Sequence, residues 1–182
     1  MPAAAAAPEG AYGGLVSRPL RAQLEPGLYH VNSRGAGGIA VFRDDDDRLL
    51  FLHLLARTLR RMAWGRHAYC LMTNHFHLLV GTTKPNLSQG MHLLVGTYAR
   101  GFNERHDRRG HLFGARFHSV AVEGEEQYER AGLYVVENAV RAGMCVVWKD
   151  WPWCGFDRIA FPPAGSTEAV PGARHWTRAD RT

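Results

Sequence analysis

His75 and His77 flank a single phenylalanine in the apolar run HFHLLVGT. On an extended strand residues i and i+2 share a face, so the two imidazoles stand side by side while Phe76 turns to the other side. Two neighbouring imidazoles make two metal ligands, and a metal needs more. The ordinary alternative is a polar pair on a solvated sheet face, and an HxH motif alone leaves both readings open. Further along, Tyr134 and Asn138 lie four apart in EEQYERAGLYVVENAVRAG, on one face of a helix. An asparagine carbonyl oxygen is a hard donor. With two imidazoles it leaves positions for water and a phosphate oxygen, a set that suits Mg²⁺ or Mn²⁺ better than a closed zinc site. The tyrosine then stands one helical turn from the metal. In that arrangement the cation stabilises charge on a departing 3′ oxygen while the phenolic oxygen attacks phosphorus in line. A phenol, with an ordinary pKa of about 10, needs help to ionise at neutral pH. Each helix residue also has a plain structural explanation: a tyrosine at helical spacing is commonly half-buried packing, and an asparagine near a helix end serves its C-terminus.

These residues need elements to hold them. GLYHVNSRG alternates and ends on glycine, a first strand. DDDDRLLFLHLLARTLRRMA opens on acids, closes on arginines and carries apolar residues at helical spacing between them, a first helix matched to its own dipole. RHAYCLM and HFHLLVGT form two strands around the short turn at Thr73 and Asn74, an antiparallel hairpin. NLSQGMHLLVGTYARGFNERH reads as a second helix with Ser88 as a cap, FHSVAVEG as a fourth strand, and the Tyr134 segment as a third helix stopped by Gly143. The order strand, helix, strand, strand, helix, strand, helix suits an α+β, ferredoxin-like fold: a four-stranded antiparallel sheet with helices on one face.

The bulk composition narrows the class. A chain of 182 residues with 46% hydrophobic content supports one domain with an ordinary core. We place that domain at 18–161, between an Ala/Pro/Gly-rich tail at 1–17 and a loose tail at 162–182. Cys70, Cys145 and Cys154 form no CxxC pair and, being odd in number, no disulfide framework, which points to a reducing compartment. No apolar run spans a bilayer and the N-terminus lacks the basic start of a secretory signal, so no membrane partner is expected and a cytoplasmic location is. The formal charge of +5, carried mostly by arginine, leans toward a polyanionic partner.

Four segments carry a resemblance to a known family. RPLRAQLEPGLYHVNSRG, LMTNHFHLLV, GHLFGARFHSVAV and YVVENAVRAGM occur in the order found in the REP-associated tyrosine transposases, relatives of the insertion-sequence transposases in the HUH single-tyrosine endonuclease class. The resemblance runs from Arg18 to about Phe156. It implies an HUH endonuclease fold, His75 and His77 as ligands of Mg²⁺ or Mn²⁺, Tyr134 as the nucleophile that cuts single-stranded DNA through a 5′-phosphotyrosine, and Asn138 as the third ligand. Three departures stand out: Ala139 replaces a proline common after that asparagine, RGAGG from Arg34 replaces Arg-Gly-Asn, and Cys154 and Gly155 replace serines. The resemblance also implies a single-stranded or hairpin DNA partner, acted on by a monomer or a homodimer.

Arginines and interleaved aromatics mark where such DNA would lie. Arg18, Arg21 and Arg34 near the first strand, and Arg105, Arg108, Arg109 and Arg116 around NERHDRRGHLFGARF, suit phosphate tracking beside base stacking, although a solvated loop explains NERHDRRG equally well. Tyr98 and Tyr128 rival Tyr134 as nucleophile. The tryptophans of WKDWPW read as packing that closes the domain, with stacking on a base as the alternative. A metal-dependent hydrolase barrel needs about 250 residues and eight strand–helix units, which this chain lacks. An RNA-binding module would place RGF, Arg100 to Phe102, on a strand, whereas the pattern there is helical. A relative that binds hairpin DNA without cutting it is the remaining alternative.

Overall fold

The computed structural model describes residues 24–157. The two tails, and Arg18 and Arg21 with them, lie outside the described residues.

Strand β1 (Gly27–Arg34) is followed by helix α1 (Asp45–Met62), the hairpin β2 (Trp64–Leu71) and β3 (His75–Thr82), helix α2 (Leu87–Arg105), strand β4 (His118–Val122), helix α3 (Glu125–Arg141) and a short strand β5 (Cys154–Phe156). All pairings are antiparallel and the strand order is β4-β1-β3-β2-β5. The fold is the expected α+β, ferredoxin-like type, with two differences. The sheet has five strands: Ala68, Tyr69 and Cys70 of β2 take Phe156, Gly155 and Cys154 as partners. Three residues without alternation leave no strand signal in the sequence. The helices also occupy both faces rather than one. Tyr29, Val31, Tyr69, Leu71, Phe76, Leu78 and Val80 point to a core closed by α1 and α2, whereas Leu28, Ala68, Cys70 and Leu79 pack beneath α3. The apolar run LLV in β3 records this, since a strand covered on both faces has no polar side to display.

Helix ends follow their local chemistry. Asp44 caps α1 by accepting the Asp47 N–H at 3.0 Å, and Asp45, Asp46 and Asp47 fill the first turn while Arg60 and Arg61 fill the last. Gly143, at φ 68°, closes α3 as expected: its N–H reaches Val140 O and that of Met144 reaches Ala139 O, a Schellman arrangement. Ser88 is not the cap of α2. Asn86 holds that position, and its side chain accepts from Trp64 Nε1 at 2.7 Å and donates to Met62 O at 3.0 Å, tying the helix start to the α1–β2 corner.

The tip of the β2–β3 hairpin is fastened to the loop after β1. Gly35 N–H donates to Asn74 O, and the N–H groups of Val41 and Phe42 both reach Thr73 O. A Cβ on Gly35 would lie 2.2 Å from Ile39 O, so this crossing needs glycine. The WKDWPW segment packs as expected: Trp153 is buried in the α1/α2 core and Trp151 donates to Leu71 O at 3.1 Å. The Arg48 guanidinium lies 5.5 Å from the Trp151 ring and 5.7 Å from that of Trp153, which clasps the segment to α1.

Helix α3 meets the added strand at Gly132, where a Cβ would stand 2.2 Å from the Phe156 ring. Gly132→Ala is therefore expected to lower stability by about 1–3 kcal/mol, against the gain that alanine gives an open helix site. Urea unfolding of the two proteins measures this, and an unchanged or raised midpoint would show that α3 does not pack on β5 so closely.

Candidate active site

The α3 face of the sheet is divided. One end is apolar under Tyr128, Ala131, Val135 and Ala139; the other is polar. Antiparallel register builds the polar end, because residues directly opposite one another point to the same side. His77 pairs with Asn32 and His75 with Arg34, while Asn32 pairs in turn with His118 on β4. His30, two residues before Asn32, shares that face.

The imidazoles are in contact. The rings of His75 and His77 are 5.0 Å apart between centroids and nearly perpendicular, and His30 stacks on His77 at 5.2 Å with an interplanar angle of 16°. Each of the two motif histidines has its Nδ1 engaged: His75 Nδ1 with Asn74 Oδ1 at 2.7 Å, His77 Nδ1 with His30 Nε2 at 2.9 Å. Burial holds the His77 imidazole well below its ordinary pKa, with His30, His75 and Arg141 adding repulsion. Burial also brings His30 down to about 4, helped by His118, and lowers His75, helped by Arg34. The cluster is therefore neutral near pH 7, the state in which an imidazole nitrogen can ligate a cation.

Helix α3 supplies the other wall. Tyr134, Asn138 and Arg141 recur at helical spacing along one flank. The Tyr134 ring is 37% exposed and stands edge-on to the rings of His30 at 5.5 Å and His77 at 6.0 Å. The Arg141 guanidinium covers that ring at 4.5 Å and pairs with Glu137. Asn138 folds its amide back, donating to Tyr134 O at 2.7 Å and Val135 O at 3.3 Å, and its Oδ1 has no hydrogen-bond partner among the described residues. The rival tyrosines are placed otherwise. Tyr98 is fully buried with its hydroxyl on Val41 O, and Tyr128 is 2% exposed with its hydroxyl on Asp157 O. Burial raises the Tyr98 phenol far above its ordinary pKa. Sequence reasoning missed His30 and Arg141; the signals were the i, i+2 relation of His30 to Asn32 and the i+7 relation of Arg141 to Tyr134.

The model of one sequence family, described as transposase IS200 like, matches residues 29–138, from the residue before His30 to Asn138. That span contains both motif histidines, the helix tyrosine and the asparagine, and most of the chain. The protein is an IS200-like transposase family member. No curated protein sequence matches it. Among solved structures, a REP-associated tyrosine transposase bound to a REP hairpin superposes with a TM-score of 0.58 at 16% identity, over 85% of this chain and 94% of that one. A candidate transposase from Deinococcus radiodurans R1 gives a TM-score of 0.45 at 19% identity, over 63% of this chain and 92% of the other. At such identity the first of these establishes the shared fold.

Not every basic residue of this IS200-like chain faces outward for a ligand. Arg105 is bound to Asp44, Asp46 and Asp47, joining the end of α2 to the start of α1. Arg108 donates to Asn103 Oδ1 and to the carbonyls of Gly110 and His111, so it shapes its own loop. Arg34, Arg109 and Arg116 are exposed. Asp44, Asp47 and His106 also converge closely enough to bracket a cation, but the Arg105 guanidinium already bonds to both carboxylates, and His106 Nε2 sits 2.9 Å from Asp47. That cluster is an interhelical ion network. No helix among the described residues is long and apolar enough to cross a membrane.

His67 lies on the same side of the sheet but away from the cluster, where β2 bulges between Arg66 and Ala68. It is fully buried, with Nδ1 3.3 Å from Tyr128 Oη and Nε2 without a hydrogen-bond partner among the described residues, and burial brings it down from 6.5 to about 4. The unfolded chain binds the proton first, so stability is fully present above pH 6.5 and falls as pH drops toward 4. Between pH 7 and pH 5 the expected loss from this one imidazole is about 2 kcal/mol. Urea titrations in EDTA at both pH values, on the wild type and His67→Leu, check this: the variant should lose less stability on acidification, and equal slopes would contradict it.

Proposed function

We propose that this transposase-family protein cuts and rejoins single-stranded DNA at a hairpin, with Tyr134 as nucleophile and a divalent cation held by His75, His77 and Asn138. The observation that carries the reading is the meeting, at one end of the sheet, of two neutral imidazoles with the half-exposed ring of Tyr134. The donor set fits the cation. His75 Nδ1 faces Asn74 Oδ1, which only accepts, so Nδ1 carries the proton and Nε2 keeps its lone pair. Asn138 donates through Nδ2 and retains Oδ1. Two imidazole nitrogens and one amide oxygen leave room for oxygen ligands, which suits Mn²⁺ or Mg²⁺. When bound, the cation supplies Lewis acidity toward the scissile phosphate.

The chain's own groups do the rest. The Tyr134 oxygen forms a bond to phosphorus as the bond from phosphorus to the 3′ oxygen breaks. The phenolic proton is passed on and the 3′ oxygen leaves as a hydroxyl, so the 5′ side remains as a phosphotyrosine. Reversal by another 3′ hydroxyl restores the phenol and joins the strands. Arg141, stacked on the Tyr134 ring, holds the ring toward the histidines and places a positive charge where the phosphate would arrive. Arg34, opposite His75 and exposed, extends that positive edge, and Arg109 and Arg116 offer further phosphate contacts. The hairpin in the structurally similar transposase supports the choice of DNA form.

Incubation with a labelled single-stranded hairpin in Mn²⁺, followed by denaturing electrophoresis, tests the proposal. The wild type is expected to give a covalent protein–DNA band, and Tyr134→Phe none while still binding the hairpin. A band that persists in Tyr134→Phe would move the nucleophile elsewhere. Binding without any wild-type band would point to a relative that has lost its chemistry. Joint replacement of His75 and His77 by alanine should reduce cleavage by at least about 10²-fold with far-ultraviolet circular dichroism unchanged; normal cutting would rule out the cation site.

A further inference from the structure

His30 occupies a position where the strand pattern calls for an apolar side chain. Its register partners are Leu79 on β3 and Val120 on β4, and Leu28, two residues earlier on the same face, lies in the core under α3. A histidine there must find a partner for its ring nitrogen, and the partner it finds is His77 Nδ1 at 2.9 Å, with the two rings stacked.

A neutral imidazole has one N–H and one lone pair. The contact between His30 Nε2 and His77 Nδ1 can therefore be made in two ways. If His30 donates, His77 Nδ1 is the acceptor, the proton of His77 sits on Nε2, and that nitrogen cannot ligate. If His30 accepts, His77 carries its proton on Nδ1 and Nε2 is left as a lone pair. The neighbouring histidine breaks the symmetry between these cases. Asn74 donates through Nδ2 to Gly38 O, so its Oδ1 faces His75 Nδ1 and commits His75 to presenting Nε2. The two ligands would be offered by the same nitrogen only if His30 acts as acceptor.

We propose that His30 is a positioning residue: it accepts the Nδ1–H of His77, fixes the ring by stacking, and so presents His77 Nε2 to the cation. This rests on the reading of His75 and His77 as ligands. It assigns to β1 the part that Asn74 plays for His75, a hydrogen-bond acceptor behind the ligand that sets its tautomer and orientation. His30 does not touch the cation. It also meets the Tyr134 ring from α3 and feels His118 on β4.

Two measurements on the full chain test this. Two-bond nitrogen–proton NMR on the metal-free wild type reads the tautomer of His77, expected with its proton on Nδ1; a proton on Nε2 would overturn the proposal without reference to any variant. Titration calorimetry with Mn²⁺ then compares the wild type with His30→Phe, which keeps a stacked ring but no acceptor, and His30→Gln, whose Oε1 can accept. His30→Phe is expected to weaken Mn²⁺ binding by about 10- to 100-fold, and His30→Gln to recover most of that loss. Equal affinity in His30→Phe and the wild type overturns the positioning role. His77→Ala separates the two levels: if it abolishes Mn²⁺ binding while His30→Phe does not, only the role of His30 is lost. If His77→Ala binds Mn²⁺ normally, the ligand reading fails and the positioning role falls with it.

Discussion

The pairing of β1 with β3 is the constraint on which the polar site depends. It is long, running from Gly27 against Thr82 to Arg34 against His75, and it sets His30, Asn32 and Arg34 beside Leu79, His77 and His75. A slip of one residue would turn His75 and His77 away from α3 and bring Phe76 and Leu78 under it. The apolar side chains prevent this slip, because Phe76, Leu78 and Val80 are wholly buried against α1 and α2. The chemistry on one face is thus registered by the core on the other. The bonds from Gly35, Val41 and Phe42 to the hairpin tip add a second clamp at the end nearest His75.

Covering both faces has a cost and a use. Burying imidazoles disfavours their charged form, which is why His30, His67 and His77 all lie below their ordinary pKa. For His67 this is a pure loss on acidification. For the cluster of His30, His75 and His77 the same desolvation keeps the lone pairs available near neutral pH. One physical effect therefore makes the fold acid-sensitive at each of these histidines and, in the cluster, keeps ring nitrogens unprotonated near neutral pH. Helix α3 produces both, since its apolar flank buries the sheet while its Tyr134–Arg141 flank closes over the histidines.

Much of this was legible from local pattern. The first helix announced itself by acids, apolar residues at helical spacing and terminal arginines; the hairpin by its polar turn; the end of α3 by Gly143, which lies in the left-handed region. The HxH pair and the Tyr134–Asn138 spacing were readable because they obey strand and helix periods. What escaped notice depends on tertiary contact. Strand β5 has three residues and exists only because β2 offers a free edge and Gly132 lets Phe156 approach. Ser88 looked like a cap, but the cap position falls at Asn86, whose side chain turns instead to Trp64 and Met62, more than twenty residues earlier. Arg105 looked like a DNA contact until the fold placed three aspartates around it. That α3 lies on the face opposite α1 and α2 follows from no single period, because LLV in β3 says only that both faces are covered.

The three helix tyrosines show how the fold sorts equal side chains into different chemistry. Tyr98 and Tyr128 spend their hydroxyls on backbone carbonyls inside the protein, so each phenol is a structural donor and neither can meet a phosphate without unfolding its surroundings. Tyr134 sits on the same helix as Tyr128 but six residues on, far enough around the axis to leave the core. Its ring is held by the Arg141 guanidinium over it and by near-perpendicular contacts with the rings of His30 and His77, while its surface remains partly open. Contacts to the ring rather than to the oxygen are what the proposed nucleophile requires, since they aim it without consuming its hydroxyl in hydrogen bonds. At the histidines the contacts likewise fall on one side of the ring, since His75 and His77 are both engaged at Nδ1.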